Sequence, residues 1–355
     1  MRLKGILITG GLGFIGSHTC SILLENYFKL YIIDNLENTS GNSINYLQSK
    51  ESSIKKIKNE NRLVLKKGDI KNFDFLNEVF QIALSENCPI DSVIHFAGLK
   101  SVSDSVLDPI NYWETNVFGT INLLKVMNIY NCNTLVFSSS ATIYGNEGAG
   151  FFKESSKVKP INPYGQTKAT IEKFLEDIYK SNPSKWKIAN LRYFNPIGSH
   201  PTGALGEEIS PKVTNIFPLI MNAASGVIKY LEVYGNNWPT HDGTCIRDYI
   251  HVMDLADAHI AALKFLFEKE SYFVNINIGT GKGTSVLELI KTFEKVNSCK
   301  VPYIFKNRRP GDVSASVAKN NLAKNLFNWS PKRSIEDMCK DGWRWQNHSI
   351  NNNSE

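Results

Sequence analysis

The chain has 355 residues, of which 42% are apolar, 11% aromatic and 21% charged, a globular composition that excludes a disordered chain or a short disulfide-stapled module. Forty basic residues stand against 34 acidic ones, a net charge of +6. The basic residues are scattered rather than gathered into a stripe, which argues against nucleic acid as a partner. The most apolar run, 21–34, is broken by Glu25, Asn26 and Lys29, so no membrane span is expected. Cys20, Cys88, Cys132, Cys245, Cys299 and Cys339 form neither a CxxC pair nor a zinc spacing and read as reduced thiols of a cytoplasmic protein. The first predicted element begins at Leu3, which leaves no room for a targeting peptide.

From there, short β-rich runs at 5–9, 30–33, 62–66, 92–96, 135–138 and 188–191 alternate with helical or turn segments. This alternation predicts an α/β protein with a Rossmann-type, doubly wound parallel sheet over residues 1–195. The stretch 48–61, rich in Lys, Asn, Ser and Glu, reads as a solvated insertion. After Asn195-Pro196, prolines and glycines punctuate shorter elements, and a smaller C-terminal α/β substrate domain is expected over 196–355. Within it, a helix over 254–267 and a strand over 273–278 make 246–282 a candidate return to the first sheet. The polar tail 347–355 is expected to fray.

The first turn, Thr9-Gly10-Gly11-Leu12-Gly13-Phe14-Ile15-Gly16, joins a predicted strand to a predicted helix. Glycines there let the backbone approach a pyrophosphate, whose charge the helix N-terminus stabilises. Asp34 ends the second strand at the distance where an acidic side chain holds ribose hydroxyls and repels a 2′-phosphate. Since Asn35-Leu36-Glu37-Asn38-Thr39 offers no cation, NAD is favoured over NADP. Asp69-Ile70 and Phe96-Ala97-Gly98-Leu99-Lys100 stand at the carboxyl ends of the third and fourth strands, where ligands of open parallel sheets lie. By residue type Asp69 serves equally well as a cap for the next helix, and Lys100 as a surface lysine.

Ser138-Ser139-Ser140 ends the fifth strand, and Tyr164-Gly165-Gln166-Thr167-Lys168 follows. On a helix, Tyr164 and Lys168 share one face, one turn apart. A phenol ionises near pH ~10, so use as a base calls for neighbouring positive charge, which Lys168 and a nicotinamide ring would supply. Ser140 would hydrogen-bond a substrate hydroxyl and relay its proton. His95, His200, His241 and His251 lack metal-ligand spacing and read as core or cap residues, so no metal is expected.

These marks, together with Leu191-Arg192-Tyr193-Phe194-Asn195-Pro196 and Arg247-Asp248-Tyr249-Ile250-His251-Val252-Met253-Asp254, run through nearly the whole chain. The chain resembles the extended short-chain dehydrogenase/reductases, and within them the 4-epimerases of UDP-hexoses. Leu12 in the glycine turn, Gln166 and the 48–61 stretch depart from the family pattern without removing a reacting group. The resemblance implies an enzyme that inverts C4 of UDP-galactose or UDP-glucose through a 4-keto intermediate, with NAD retained between turnovers. Ser140, Tyr164 and Lys168 would be its catalytic residues.

For the cofactor the resemblance implies Gly10, Gly13, Phe14, Ile15, Gly16, Asp34, Asn35, Asn38, Asp69, Ile70, Phe96, Ala97, Gly98, Lys100, Asn116, Ser138, Tyr164, Lys168, Tyr193 and Phe194. For the sugar nucleotide it implies Lys100, Ser140, Tyr164, Phe194, Asn195, Asn215, Val233, Tyr234, Arg247, Arg309, Asp312 and Ser316. Arg247 and Arg309 can each offer a guanidinium fork to the diphosphate. Ser316 would lie beside the hexose 2-substituent, where a small residue leaves space for an N-acetyl group. A homodimer is implied through helices near 111–130 and 163–179. A dehydratase or decarboxylase of the same fold is the nearest rival; such enzymes resemble one another in an Asp-Glu after the serine, where this chain has Ala141-Thr142. A dinucleotide sensor without turnover would have little need for Ser140, Tyr164 and Lys168 together.

Overall fold

Seven parallel strands carry the site: β1 (Lys4–Thr9), β2 (Phe28–Asp34), β3 (Leu63–Lys67), β4 (Ile90–His95), β5 (Thr134–Ser140), β6 (Lys187–Tyr193) and β7 (Tyr272–Ile278), side by side in the order 7-6-5-4-1-2-3. The computed structural model describes residues 3–352 apart from 27, 40, 59, 147–149, 208–214, 310 and 311. Each of the six strands expected before residue 195 is found, with ends within two residues of the predicted ones. Ile6 and Ile8 of β1 enter one apolar cluster and Leu7 the other, so the pleat feeds two cores and helices cover both faces. The strand order reverses between β1 and β4, which opens the crevice at their carboxyl ends.

The stretch 48–61 is not a solvated loop up to residue 58. It forms most of the helix Gly41–Lys58, in which Ile44, Leu47 and Ile54 recur at helical spacing and pack against the core. The apolar phase is set before Gln48, so a reading that begins there meets only the polar face. The tail differs as well: the helix Ile335–Asn352 continues past Asn347, with Trp345 and Gln346 buried.

Beyond β6 the described residues supply three strands of a four-stranded sheet and two small strand pairs. Between 246 and 282 it crosses back through the helix Val252–Phe267 to β7, which pairs in parallel with β6. In the opposite direction, Phe151–Phe152 pairs with Ala315–Ala318. Buried Asp248 ties these parts together. Its two oxygens accept from the Thr280 amide and hydroxyl and from the amides of Gly281 and Ala318, which fixes the backbone beside Arg247. Among the described residues no helix is long and apolar enough to cross a membrane.

Candidate functional site

The glycine turn is shaped by close approach. Gly10 sits at φ +64°, and a Cβ there would lie 2.6 Å from the Ala97 amide nitrogen; one on Gly16 would lie 2.3 Å from the Gly10 carbonyl. The helix Phe14–Glu25 starts at Gly13 without a side-chain cap, with Phe14, Ile15 and Gly16 in its first turn. Asp34 reaches back to this turn: Oδ2 accepts from the Leu12 amide at 3.1 Å and Oδ1 from the Leu36 amide at 3.0 Å. Burial raises its pKa, while these amides favour the carboxylate. Asn35 accepts from the Glu37 amide, and Asn38 lies exposed in the same turn.

Asp69 does not cap the next helix. Its Oδ1 accepts from the Lys71 amide, and Asn72 caps Phe73–Ser85. Ile70 is buried against Gly119. Phe96 packs on His259, and Gly98, at φ +153°, brings the backbone within reach of Asn116 and Lys168. Asn116 lies on a single π-helical turn, Trp113–Phe118, a distortion common at functional sites. Its Oδ1 accepts from the Leu99 amide, and its Nδ2 donates to the Leu99 carbonyl and to Thr167.

The serine, tyrosine and lysine meet across β5. Asn162 caps the helix Pro163–Ser181, and a Cβ on Gly165 would lie 3.0 Å from the Thr142 carbonyl, so the tyrosine turn presses onto the strand end. Ser140, Tyr164 and Lys168 are 7%, 6% and 4% exposed. The Thr142 hydroxyl donates to Ser140 Oγ at 2.9 Å, and Ser140 lowers the Tyr164 pKa against the larger effect of burial. Lys168 Nζ donates to the Ser138 carbonyl at 2.9 Å and lies 6.0 Å from the centre of the Tyr164 ring. Tyr193 pairs with Ser138 Oγ at 2.8 Å.

The electrostatics differ from the expectation in one respect. The Tyr164 pKa is raised, mainly by burial and then by Tyr193, and the cation opposing that rise is Lys100 rather than Lys168. Burial also lowers Lys168 to about 8. Proximity at one helical turn is therefore insufficient: Lys168 is itself desolvated and directed at a carbonyl.

Across the cleft, buried Phe194 packs in a small cluster with Ile143, Tyr144 and Phe152. Asn195 opens a short strand paired with Tyr249–His251. Tyr234 lies under the Arg309 guanidinium at 4.3 Å from its ring centre, its hydroxyl donating to Glu232. Arg309 pairs with Asp312 at 3.4 Å. Arg247 donates to the carbonyls of Ile246 and Val313 and neighbours Ser316 in register. Val233 stands apart: its side chain is buried in the C-terminal apolar cluster, leaving only its main chain to meet a ligand. Lys100 and Asn215 both bond Glu207.

Several groups around the site escape sequence reasoning. Thr9 donates to His95 Nδ1 at 2.6 Å, His95 Nε2 meets Thr120 at 2.9 Å, and Thr120 donates to the Asn116 carbonyl. That order fixes His95 as a neutral donor at Nε2, and burial lowers its pKa to about 3. Ser139 donates to Glu172, which is ion-paired at 2.6 Å with buried Arg192, and Arg192 also donates to Tyr144. Thr142 and Thr167 stand beside predicted residues, so their positions were readable but their roles were not. Among the described residues no His, Cys, Asp and Glu group is fit to hold a metal ion.

A glycine turn at the switch point of a parallel sheet, facing serine, tyrosine and lysine, defines an extended short-chain dehydrogenase/reductase. A family model described as GDP-mannose 4,6 dehydratase matches residues 7–342. UDP-glucose 4-epimerase 2 of Arabidopsis thaliana is 43% identical over 348 residues, 98% of this chain and 96% of that protein. The structure of UDP-glucose-4-epimerase from Stenotrophomonas maltophila, with bound NAD and formylated UDP-arabinopyranose, superposes with a TM-score of 0.90 at 37% identity, covering 99% of this chain and 100% of that one. The UDP-Glc/GlcNAc 4-epimerase of Campylobacter jejuni superposes at 0.80 with 33% identity, covering 97% and 99%. The chain belongs to the UDP-glucose 4-epimerase family.

Proposed function

We propose that this protein interconverts UDP-galactose and UDP-glucose by epimerisation at C4, using retained NAD. The observation that carries this reading is that Lys168 bonds the Ser138 carbonyl at the end of β5, two residues before Ser140, and lies 6.0 Å from the Tyr164 ring centre, in a chain whose full-length relatives carry the name of that activity. The residues suit the cofactor. A Cβ would fill the turn at Gly10 or Gly16, and Asp34 is held as an acceptor beside it. NAD, when bound, supplies a reversible two-electron acceptor at C4.

Tyr164 takes the C4 hydroxyl proton, with Ser140 bonded to the same oxygen, and returns it after the 4-keto sugar has presented its opposite face. Lys168 holds the nicotinamide ribose, and Lys100 is the cation that favours the phenolate. Arg247 and Arg309 retain the diphosphate while the sugar turns, and Tyr234 and Asn195 border the same nucleotide. The hydroxyl beside Ser140 is that of Thr142, and no acid follows the serine, which favours epimerisation over loss of water.

The test is incubation of purified protein with UDP-galactose, without added cofactor, followed by NMR. UDP-glucose forms without stoichiometric NADH release; a 4-keto-6-deoxy sugar, or no reaction under any cofactor condition, overturns the reading.

The substrate range extends to the N-acetylhexosamine forms, supported by Ser316 beside Arg247 and by the two-substrate name of the Campylobacter jejuni relative. The working unit is a homodimer, supported by exposed Val106, Leu107, Ile110, Trp113 and Phe118 along 102–118. Six free cysteines support a reducing compartment, the cytoplasm.

A further inference from the structure

Glu207 carries no role in the reading above, yet it meets two of the residues that reading uses. Its Oε1 accepts from Lys100 Nζ at 2.9 Å and from Asn215 Nδ2 at 3.3 Å. The two donors come from opposite sides of the cleft, one from the loop after β4 and the other from the start of the helix Ile216–Ala224. Asn215 stands at the N-cap of that helix, where an asparagine side chain ordinarily accepts a backbone amide, but it makes no capping bond and turns to the carboxylate instead.

The main chain that carries Glu207 is anchored, while Lys100 reaches it as a long, mostly exposed side chain. Trp345 Nε1 donates to the Glu207 carbonyl at 3.0 Å, and His18 Nε2 lies 3.2 Å from the Leu205 carbonyl. Gly206 packs flat beneath Trp345, where a Cβ would fall 2.4 Å from the indole. Residues 205–207 are thus held from the first helix and from the last. Glu207 is 14% exposed, whereas the Lys100 side chain is 64% exposed and held at its tip. Glu207 is also the first cause of the raised Lys100 pKa, so the lysine stays charged.

We propose that Glu207 is a positioning residue, a carboxylate on an anchored main chain that competes with the phosphates of the sugar nucleotide for Lys100. One ammonium cannot fully serve two anions that repel each other. Substrate entry therefore exchanges the Lys100–Glu207 pair for a Lys100–phosphate pair, and Glu207 keeps Asn215. The exchange weakens nucleotide binding and thereby speeds product departure. This inference rests on the UDP-sugar reading of the cleft.

The test is calorimetric titration of UDP into the NAD-bound enzyme in a double-mutant cycle. Glu207→Gln keeps the amide acceptor for Asn215 but removes the charge. It tightens UDP by about fivefold, the scale of one partly exposed ion pair. In a Lys100→Met background the same substitution has no effect, an outcome that a purely structural role for Glu207 would not produce. Unchanged or weaker binding in Glu207→Gln, or an equal gain in the Lys100→Met background, overturns the proposal. A wild-type protein that does not bind UDP overturns the functional reading and this inference together, whereas UDP binding without the coupling overturns only the inference.

Discussion

Around the glycine turn, the side chains set for chemistry are buried and tied to the backbone, as Asp34 is to the Leu12 and Leu36 amides, Lys168 to the Ser138 carbonyl and Asn116 to Leu99. Across the cleft, Arg309 is 48% exposed, its neighbours being Asp312 and the face of Tyr234, and at the rim of the first side the exposed Lys100 ends on a carboxylate. The first region is held by the fold itself; the second consists of long, largely exposed side chains held by other side chains. Preorganised groups determine the rate of a chemical step, and adjustable ones determine what is held and for how long. Substitutions in the two regions should therefore fail in different ways.

The largest effect belongs to the rigid side. Tyr164→Phe removes the phenol while keeping the ring, and turnover of UDP-galactose should fall by about 10²-fold or more. Bound NAD, read from the absorbance of the purified protein, should persist, because the turn at Gly10 and Gly16 is untouched. Near-normal turnover would place the base elsewhere and break the division between the regions.

Next comes the cost of keeping Lys168 in that buried position. Its folded pKa is lowered to about 8 against an ordinary 10.5. Between those values the unfolded chain binds more protons than the folded one, so this group makes stability rise with pH, and below about 8 it is a burden. Urea unfolding from pH 7 to 10 should show this contribution in wild type, and Lys168→Met should lack it while losing turnover. Identical pH slopes in both proteins would mean that Lys168 is not desolvated as described.

The same division explains what could be read from the sequence. Each of the six expected strands is present because alternating β-rich runs and a glycine turn are local signals, and Tyr164 and Lys168 are related by helical spacing alone. What stayed hidden depends on partners distant in the chain. Glu207 lies 107 positions from Lys100. His95 links Thr9 to Thr120 only because β1 and β4 are neighbours. The Gly41–Lys58 helix was concealed by a polar face, its few apolar contacts being set by Ile44 and Leu47 before the polar run. The direction of the Tyr164 shift was also unreadable, since it turns on how deeply the phenol and its lysine are buried.

The gentlest perturbation of the shared chemistry lies on the adjustable side, at Ser316. Ala315–Ala318 pairs in parallel with Ile246–Arg247, placing Ser316 beside Arg247 and Ala315 beside Ile246. Side chains alternate along a strand, and a Cβ on Gly150 would lie 2.5 Å from that of Ala315, so Ala315 is turned toward that neighbouring backbone. Ser316 is thus the small residue on the face of Arg247, the guanidinium assigned to the diphosphate. On the proposed substrate range, a hexose held near that diphosphate would set its 2-acetamido group beside Ser316, and a phenol ring at that position would compete for the same space. Wild type should epimerise UDP-N-acetylglucosamine, and Ser316→Tyr should lose that activity while UDP-galactose turnover stays within about twofold, as expected when discrimination comes from steric exclusion rather than from the reacting groups. Parallel loss of both activities would mean that the tyrosine disturbs Arg247 or its strand, and a wild type inert toward the N-acetyl substrates would assign the restriction to another wall of the cleft.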